Sequence, residues 1–141
     1  MAIALETNGT LPSTGGLTIT QSVTLSGANR ALVVWVYNEA TGGVVTSVTH
    51  NGFAMTQFAS KVVPNAGSSR TLYGFSLANP SGGTHDIVVT RPSTGGGAMY
   101  GAYVNVTGAV QRGLPNSFAT VDANNATGTY TLSTTTTIDN T

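Results

Sequence analysis

His50 and His85 are the two side chains of this sequence whose ordinary pKa suits general-base work near neutrality. A hydrolytic triad needs one of them beside both a serine and a carboxylate. Serines are plentiful, yet none stands in a Gly-x-Ser-x-Gly elbow, and no strand–turn–helix context is there to present one. His85 and Asp86 are chain neighbours, so on a strand their side chains point to opposite faces and form no local dyad. His50 flanks a turn and His85 begins a strand, and both are expected to be partly exposed. The carboxylates are Glu6, Glu39, Asp86, Asp122 and Asp139. Nothing in their spacing sets two of them on either side of a glycosidic bond.

Metal and cofactor chemistry is equally thin. The absence of cysteine excludes a disulfide framework, a thiolate metal site and a cysteine nucleophile. Neither His-Glu-x-x-His nor an EF-hand loop occurs. Asp122-Ala123-Asn124-Asn125 carries oxygens of the kind calcium takes, but Asp and Asn in loops ordinarily close Asx-turns. Gly95–Gly97 leads into a strand rather than a helix N-terminus, which argues against a phosphate cradle. No catalytic, metal or cofactor-binding residue is therefore expected, and any ligand-binding residue is left unassigned.

Aromatic side chains are the remaining source of specific contact, because rings stack on sugar faces. Trp35, Tyr37, Tyr73, Phe75, Tyr100 and Tyr103 are the candidates. Trp35 lies in an apolar strand, and Tyr73 and Phe75 share a face with Leu77, so core packing is expected of all three. Tyr100 and Tyr103 are an odd number of residues apart, so one of them should face outward. The Asn-x-Thr triplets starting at Asn8, Asn105 and Asn125 read as chance matches in a threonine-rich chain.

Apolar residues recur with period two, the mark of half-buried strands. Leu17, Ile19, Val23 and Leu25 share one face of a first strand. Ala31 to Tyr37 is apolar on both faces and suits a central, covered strand. Val45–His50 and Phe53–Phe58 flank Asn51-Gly52, a pair that tolerates the positive φ of a type I′ turn. The hairpin sets His50 opposite Phe53, Val48 opposite Met55, Thr46 opposite Gln57 and Val45 opposite Phe58. After a loop at Asn65–Ser69, strands are expected at Thr71–Leu77, His85–Thr90 and Met99–Val106. An irregular stretch from Gln111 to Thr127 precedes a last strand near Thr129–Ile138. The fold class is all-β: a two-sheet antiparallel β-sandwich, jelly-roll-like, with about eight strands and essentially no helix. Residues 1–16 read as an N-terminal arm and 17–141 as a single sandwich domain.

Of the 141 residues, 24 are threonine and 18 glycine, while five basic and five acidic residues give zero net charge. Charged residues make up 7% of the chain, against roughly 25% in an average soluble protein. That balance removes the electrostatic basis for binding nucleic acid or an anionic membrane surface, and no apolar run reaches the ~18–20 residues of a membrane span. The composition suits an exported adhesive or coat protein. Met1-Ala-Ile-Ala-Leu-Glu6 lacks the basic and apolar regions of a secretion signal, so release by cell lysis is the expected way out.

The succession Asn29-Arg30-Ala31-Leu32-Val33-Val34, Val45 to Thr56, Arg70-Thr71-Leu72-Tyr73, Asn79 to Thr90 and Gly101 to Gly108 resembles a group of β-sandwich modules. These occur in tailed-phage structural proteins and in bacterial extracellular proteins. The resemblance covers roughly residues 17 to 138 and rests on turns and core strands, so it speaks to fold more than to function. In such modules another apolar strand follows the threonine-rich stretch. Here the sequence stops at Asp139-Asn140-Thr141, which implies either a shortened module or a fragment. The resemblance and the empty catalytic inventory together imply a non-enzymatic structural or attachment module of a virion: a capsid decoration, head-fibre or tail-associated protein. Its expected partners are other copies of itself and virion proteins, and a cell-surface glycan stands as a further candidate. The alternative is a carbohydrate-binding or adhesion domain of a bacterial extracellular protein.

Overall fold

The computed structural model describes residues 2–40, 43–65, 68–93 and 95–109. Among them the protein is all-β, with nine strands: β1 (Ala4–Thr14), β2 (Thr18–Leu25), β3 (Ala31–Asn38), β4 (Ser47–His50), β5 (Phe53–Ala54), β6 (Thr56–Asn65), β7 (Ser68–Ala78), β8 (Gly83–Thr90) and β9 (Met99–Thr107). They form two antiparallel sheets, a five-stranded one in the order β1-β9-β3-β7-β6 and a four-stranded one in the order β2-β8-β4-β5. The β-sandwich expected from the alternating pattern is what the chain builds. The last strand near Thr129–Ile138 and the irregular stretch before it lie outside the described residues.

Alternation does the sorting. In β3 the even positions Leu32, Val34, Val36 and Asn38 are buried and the odd ones half-buried, because successive side chains point to opposite faces. In β2, Ile19, Val23 and Leu25 point inward while Thr18, Thr20, Ser22 and Thr24 face water. Ile87 and Val89 of β8 and Val48 of β4 complete the inner layer of the small sheet, against Val34, Val36, Tyr73, Phe75 and Met99 of the large one. Each such side chain contributes about 1.5–3 kcal/mol by leaving water. Tyr103 packs on this core across Gly9, its partner in β1. A Cβ at position 9 would come within 2.7 Å of the Tyr103 hydroxyl oxygen.

Three expectations are corrected. Residues 1–16 are not an arm ahead of the domain: β1 is the edge strand of the large sheet, and it places Leu11 in the core. Thr, Asn and Gly dominate this stretch, and only its pairing to β9 makes it a strand. Leu17 is 47% exposed, because it precedes β2 in the turn where its carbonyl accepts from the Arg91 N–H at 2.9 Å. The hairpin is also shorter than expected. Asn51 and Gly52 take φ of 50° and 75°, His50 pairs with Phe53, and Met55 N–H donates to Val48 O at 2.8 Å. Beyond that point the pairs Thr46–Gln57 and Val45–Phe58 do not form. Thr46 instead donates to Thr90 O through its N–H and its hydroxyl. Met55 is buried between the sheets, and the chain crosses to the large sheet, where β6 pairs with β7 from Thr56 opposite Ser76.

The crossover is held by an aromatic contact on the outer face. A bulge between Gln57 and Ala59 turns Phe58 onto Trp35, ring centroids 5.3 Å apart at 81°, an edge-to-face pair of the favoured kind. Gly74 lies beneath them: a Cβ there would stand 2.7 Å from Trp35 Cζ3 and 2.8 Å from Phe58 Cζ. Gly74→Ala is therefore expected to cost about 1–3 kcal/mol of stability through overpacking. Urea unfolding followed by Trp35 fluorescence checks it, and a neutral result would show that the ring pair yields easily.

Candidate functional site

The two histidines come together. Parity puts both on the inner side of the small sheet, since His50 follows Val48 and His85 precedes Ile87 by two positions. Their rings meet edge-on with centroids 5.8 Å apart. His50 is fully buried rather than partly exposed, and neither of its ring nitrogens has a hydrogen-bond partner. Burial first, then the neighbouring His85 and Arg30 charges, hold its pKa below the ordinary value. His85 is half-buried, with Nε2 3.0 Å from Gly82 O. Asp86 faces outward, as the strand alternation requires, and helps line a shallow, open hollow with Asn51 and Thr84. Among the described residues no hydrogen bond joins either imidazole to a serine or a carboxylate. Among the described residues no three His, Asp or Glu side chains converge as metal ligands do.

The carboxylates serve as ties. Glu6 accepts from the Ser26 backbone N–H and hydroxyl and, at 2.7 Å, from Asn105 Nδ2. The Ser26 side chain first, then Asn105, hold its pKa below the ordinary carboxylate value. Asp122, Asp139 and the Asp122–Asn125 loop lie outside the described residues.

A polar centre built on Arg91 sits at the opposite end of β8. Arg91 is only 1% exposed. Its Nε donates to Gly16 O, Nη1 to Asn38 Oδ1, and Nη2 to both Gly15 O and Gly97 O, at 2.8–3.0 Å. One guanidinium thus ties the β1–β2 turn, the end of β3 and the glycine-rich loop before β9. The signal was present: Ile87, Val89 and Arg91 share parity, so the strand that buries the first two points the third inward as well. Gly95 and Gly96 take φ of 48° and 78° in the loop whose Gly97 carbonyl accepts from this side chain.

The aromatic residues divide between the two faces of the large sheet. Tyr73 and Phe75 are in the core as expected. Trp35 is not: it belongs to the outer face with Phe58. Of the pair at odd spacing, Tyr100 faces outward and Tyr103 packs on the core. Tyr37 and Tyr100 stand directly opposite each other on β3 and β9, ring centroids 5.3 Å apart and tilted by 48°. The Tyr100 hydroxyl is 3.4 Å from Glu39 Oε1, and the same oxygen lies 3.5 Å from Arg70 Nη1. A hydrogen bond with the Tyr37 side chain raises the Arg70 pKa above its ordinary value. Burial first, then the Glu39 charge, raises that of Tyr100.

Those tyrosines end a longer apolar strip. Leu5, Val106, Val104, Val33 and Trp35 share the outer face of the large sheet, Leu5 62% exposed and the others half-buried. The outer face of the small sheet carries mainly threonine and serine instead. Compared with protein-family models, with curated proteins and with solved structures, the chain matches none.

Proposed function

We propose that this chain is a non-enzymatic structural or attachment module of a phage particle, and that it works by packing the outer face of its large sheet against a second copy of itself. The observation that carries the reading is the asymmetry between the two outer faces. The outer face of the small sheet is mainly hydroxylated, whereas that of the large sheet is apolar along β3 and β9, from Leu5 to Tyr100. Contiguous apolar patches of several hundred Å² mark surfaces meant to be covered. The apolar strip runs along β3 and β9, two strands about 4.8 Å apart and about 26 Å long, or about 250 Å². Two such strips bury about 500 Å², so flanking residues of β1 and β7 must join the contact for it to reach the ~1,200 Å² of a stable interface. An apolar face is complementary to itself under a two-fold axis, and zero net charge gives the copies nothing to repel with. A coat or fibre component needs self-association and a loop-borne contact, not turnover.

Light scattering coupled to size exclusion tests the packing. The wild type is expected as a dimer or larger assembly, and Val104→Lys, which sets a charge in the middle of the strip, as a folded monomer. A wild type that stays monomeric at high concentration overturns the self-association. For the setting, capsid, portal or tail genes beside the coding sequence support the virion, whereas a sugar-utilisation cluster overturns it in favour of the bacterial adhesion domain.

A further inference from the structure

The geometry points to a saccharide-binding site at the end of this face, built from Tyr37, Tyr100, Glu39 and Arg70. It goes beyond the assembly reading and does not depend on it. Tyr37 and Tyr100 form a shallow, tilted pair of rings on the solvent side of β3 and β9, with Tyr100 36% exposed. A pyranose presents C–H groups on its face and hydroxyls around its edge. The first suit the electron-rich face of a tyrosine ring, and the second need fixed donors and acceptors at the ring's border. Both are here. The Glu39 carboxylate and the Arg70 guanidinium flank the rings at 27% and 32% side-chain exposure, open enough to be reached. Both groups are planar and able to bind neighbouring hydroxyls in a two-pronged way.

The charges also select the ligand class. Glu39 and Arg70 lie 3.5 Å apart and offset one another, so the site offers no net field to an anion or a cation and favours a neutral, polyhydroxylated molecule. An apolar protein partner pressed onto this end would strip water from the ion pair and return no hydrogen bonds. A sugar replaces that water with its own hydroxyls. The polar end and the apolar strip are therefore suited to different occupants.

The test is a printed array of neutral oligosaccharides and bacterial surface polysaccharides, probed with labelled wild type and with Val104→Lys, followed by calorimetric titration of the strongest glycan. Both proteins are expected to bind at least one hexopyranose-containing glycan. Tyr100→Ala is expected to weaken it by about tenfold or more, Tyr100→Phe by less, and Arg70→Met to weaken it while Tyr37 and Tyr100 remain in place. Melting temperatures of the variants close to that of the wild type separate lost contact from lost fold. An array without hits, or a glycan affinity unchanged in Tyr100→Ala, overturns the site. Either failure leaves the light-scattering mass untouched, so it is distinguishable from failure of the assembly reading.

Discussion

Arg91→Ala is expected to lower the unfolding free energy by about 3–5 kcal/mol. The side chain is 1% exposed and has no carboxylate partner among its hydrogen bonds; three backbone carbonyls and the Asn38 amide oxygen take its donors. Its removal leaves a cavity, and each acceptor left unpaired in the interior costs about 1–3 kcal/mol. The turn at Gly15–Gly16 lies at the surface and can admit water, which keeps the total from being their full sum. Arg91→Met preserves much of the stem and none of the donors. It is expected to fall close to the alanine variant, showing that the hydrogen bonds and not the packing are what is lost. Arg91→Lys is expected to recover little, because a single ammonium cannot span acceptors supplied by three segments. Urea unfolding of the three variants measures this. A loss under about 1 kcal/mol in Arg91→Ala would mean that the carbonyls turn to water at no cost, and the role assigned to Arg91 would fall.

How much of this was legible before the structure depends on which force decides each element. β2, β3, β8 and β9 read correctly because a strand with one buried face writes its burial into alternate positions, as in Ile19, Val23 and Leu25. The Asn51-Gly52 turn read correctly because its backbone needs positive φ, which few residues tolerate. β1 and β6 did not, and for a shared reason. Both are edge strands of the large sheet and, unlike β2, an edge strand that does alternate, they carry mixed side chains such as Thr7, Asn8 and Gly9, or Lys61 and Val62. Their strand character comes from pairing, with β9 far along the chain for β1 and with the adjacent β7 for β6. The hairpin failed at Met55 because nothing local tells a strand to change sheets; the contact that decides it, Phe58 on Trp35 over Gly74, joins three separate segments. Of the candidate site, the outward Tyr100 followed from parity alone. Its junction with Tyr37, Glu39 and Arg70 needed the register of β3 against β9 and β7. Arg91 and the inward histidines share the strand parity of Val89, Ile87 and Val48, so alternation alone turns these polar side chains inward.

Stability of the protein is expected to fall as the pH drops below about 6.5, and His50 is the reason. Its folded pKa lies below the ordinary 6.5, so in the window between the two values the unfolded chain binds a proton that the folded one refuses. The stabilisation is complete above 6.5 and is lost as the pH falls toward the folded value, with a limiting slope of about 1.4 kcal/mol per pH unit for one proton. The geometry gives the cause. His50 has no hydrogen-bond partner at either nitrogen, faces the His85 ring at 5.8 Å, and feels the charge of Arg30. Asp86, the chain neighbour of His85, points to the other side of the sheet and gives no relief. His50→Phe keeps a flat ring in the same space without a group to charge. It is expected to flatten the slope between about pH 7 and pH 5 and to be more stable than the wild type at the acid end. Glu6 does not confuse the reading. Its pKa is held below 4.5, so its contribution is present above that value and is lost only at lower pH. Urea midpoints of wild type and His50→Phe across this range decide the matter. Parallel slopes in the two proteins would move the acid sensitivity elsewhere, whereas a slope that vanishes with the ring nitrogens locates it at the end of the sandwich where β4 and β8 bury a base without a partner.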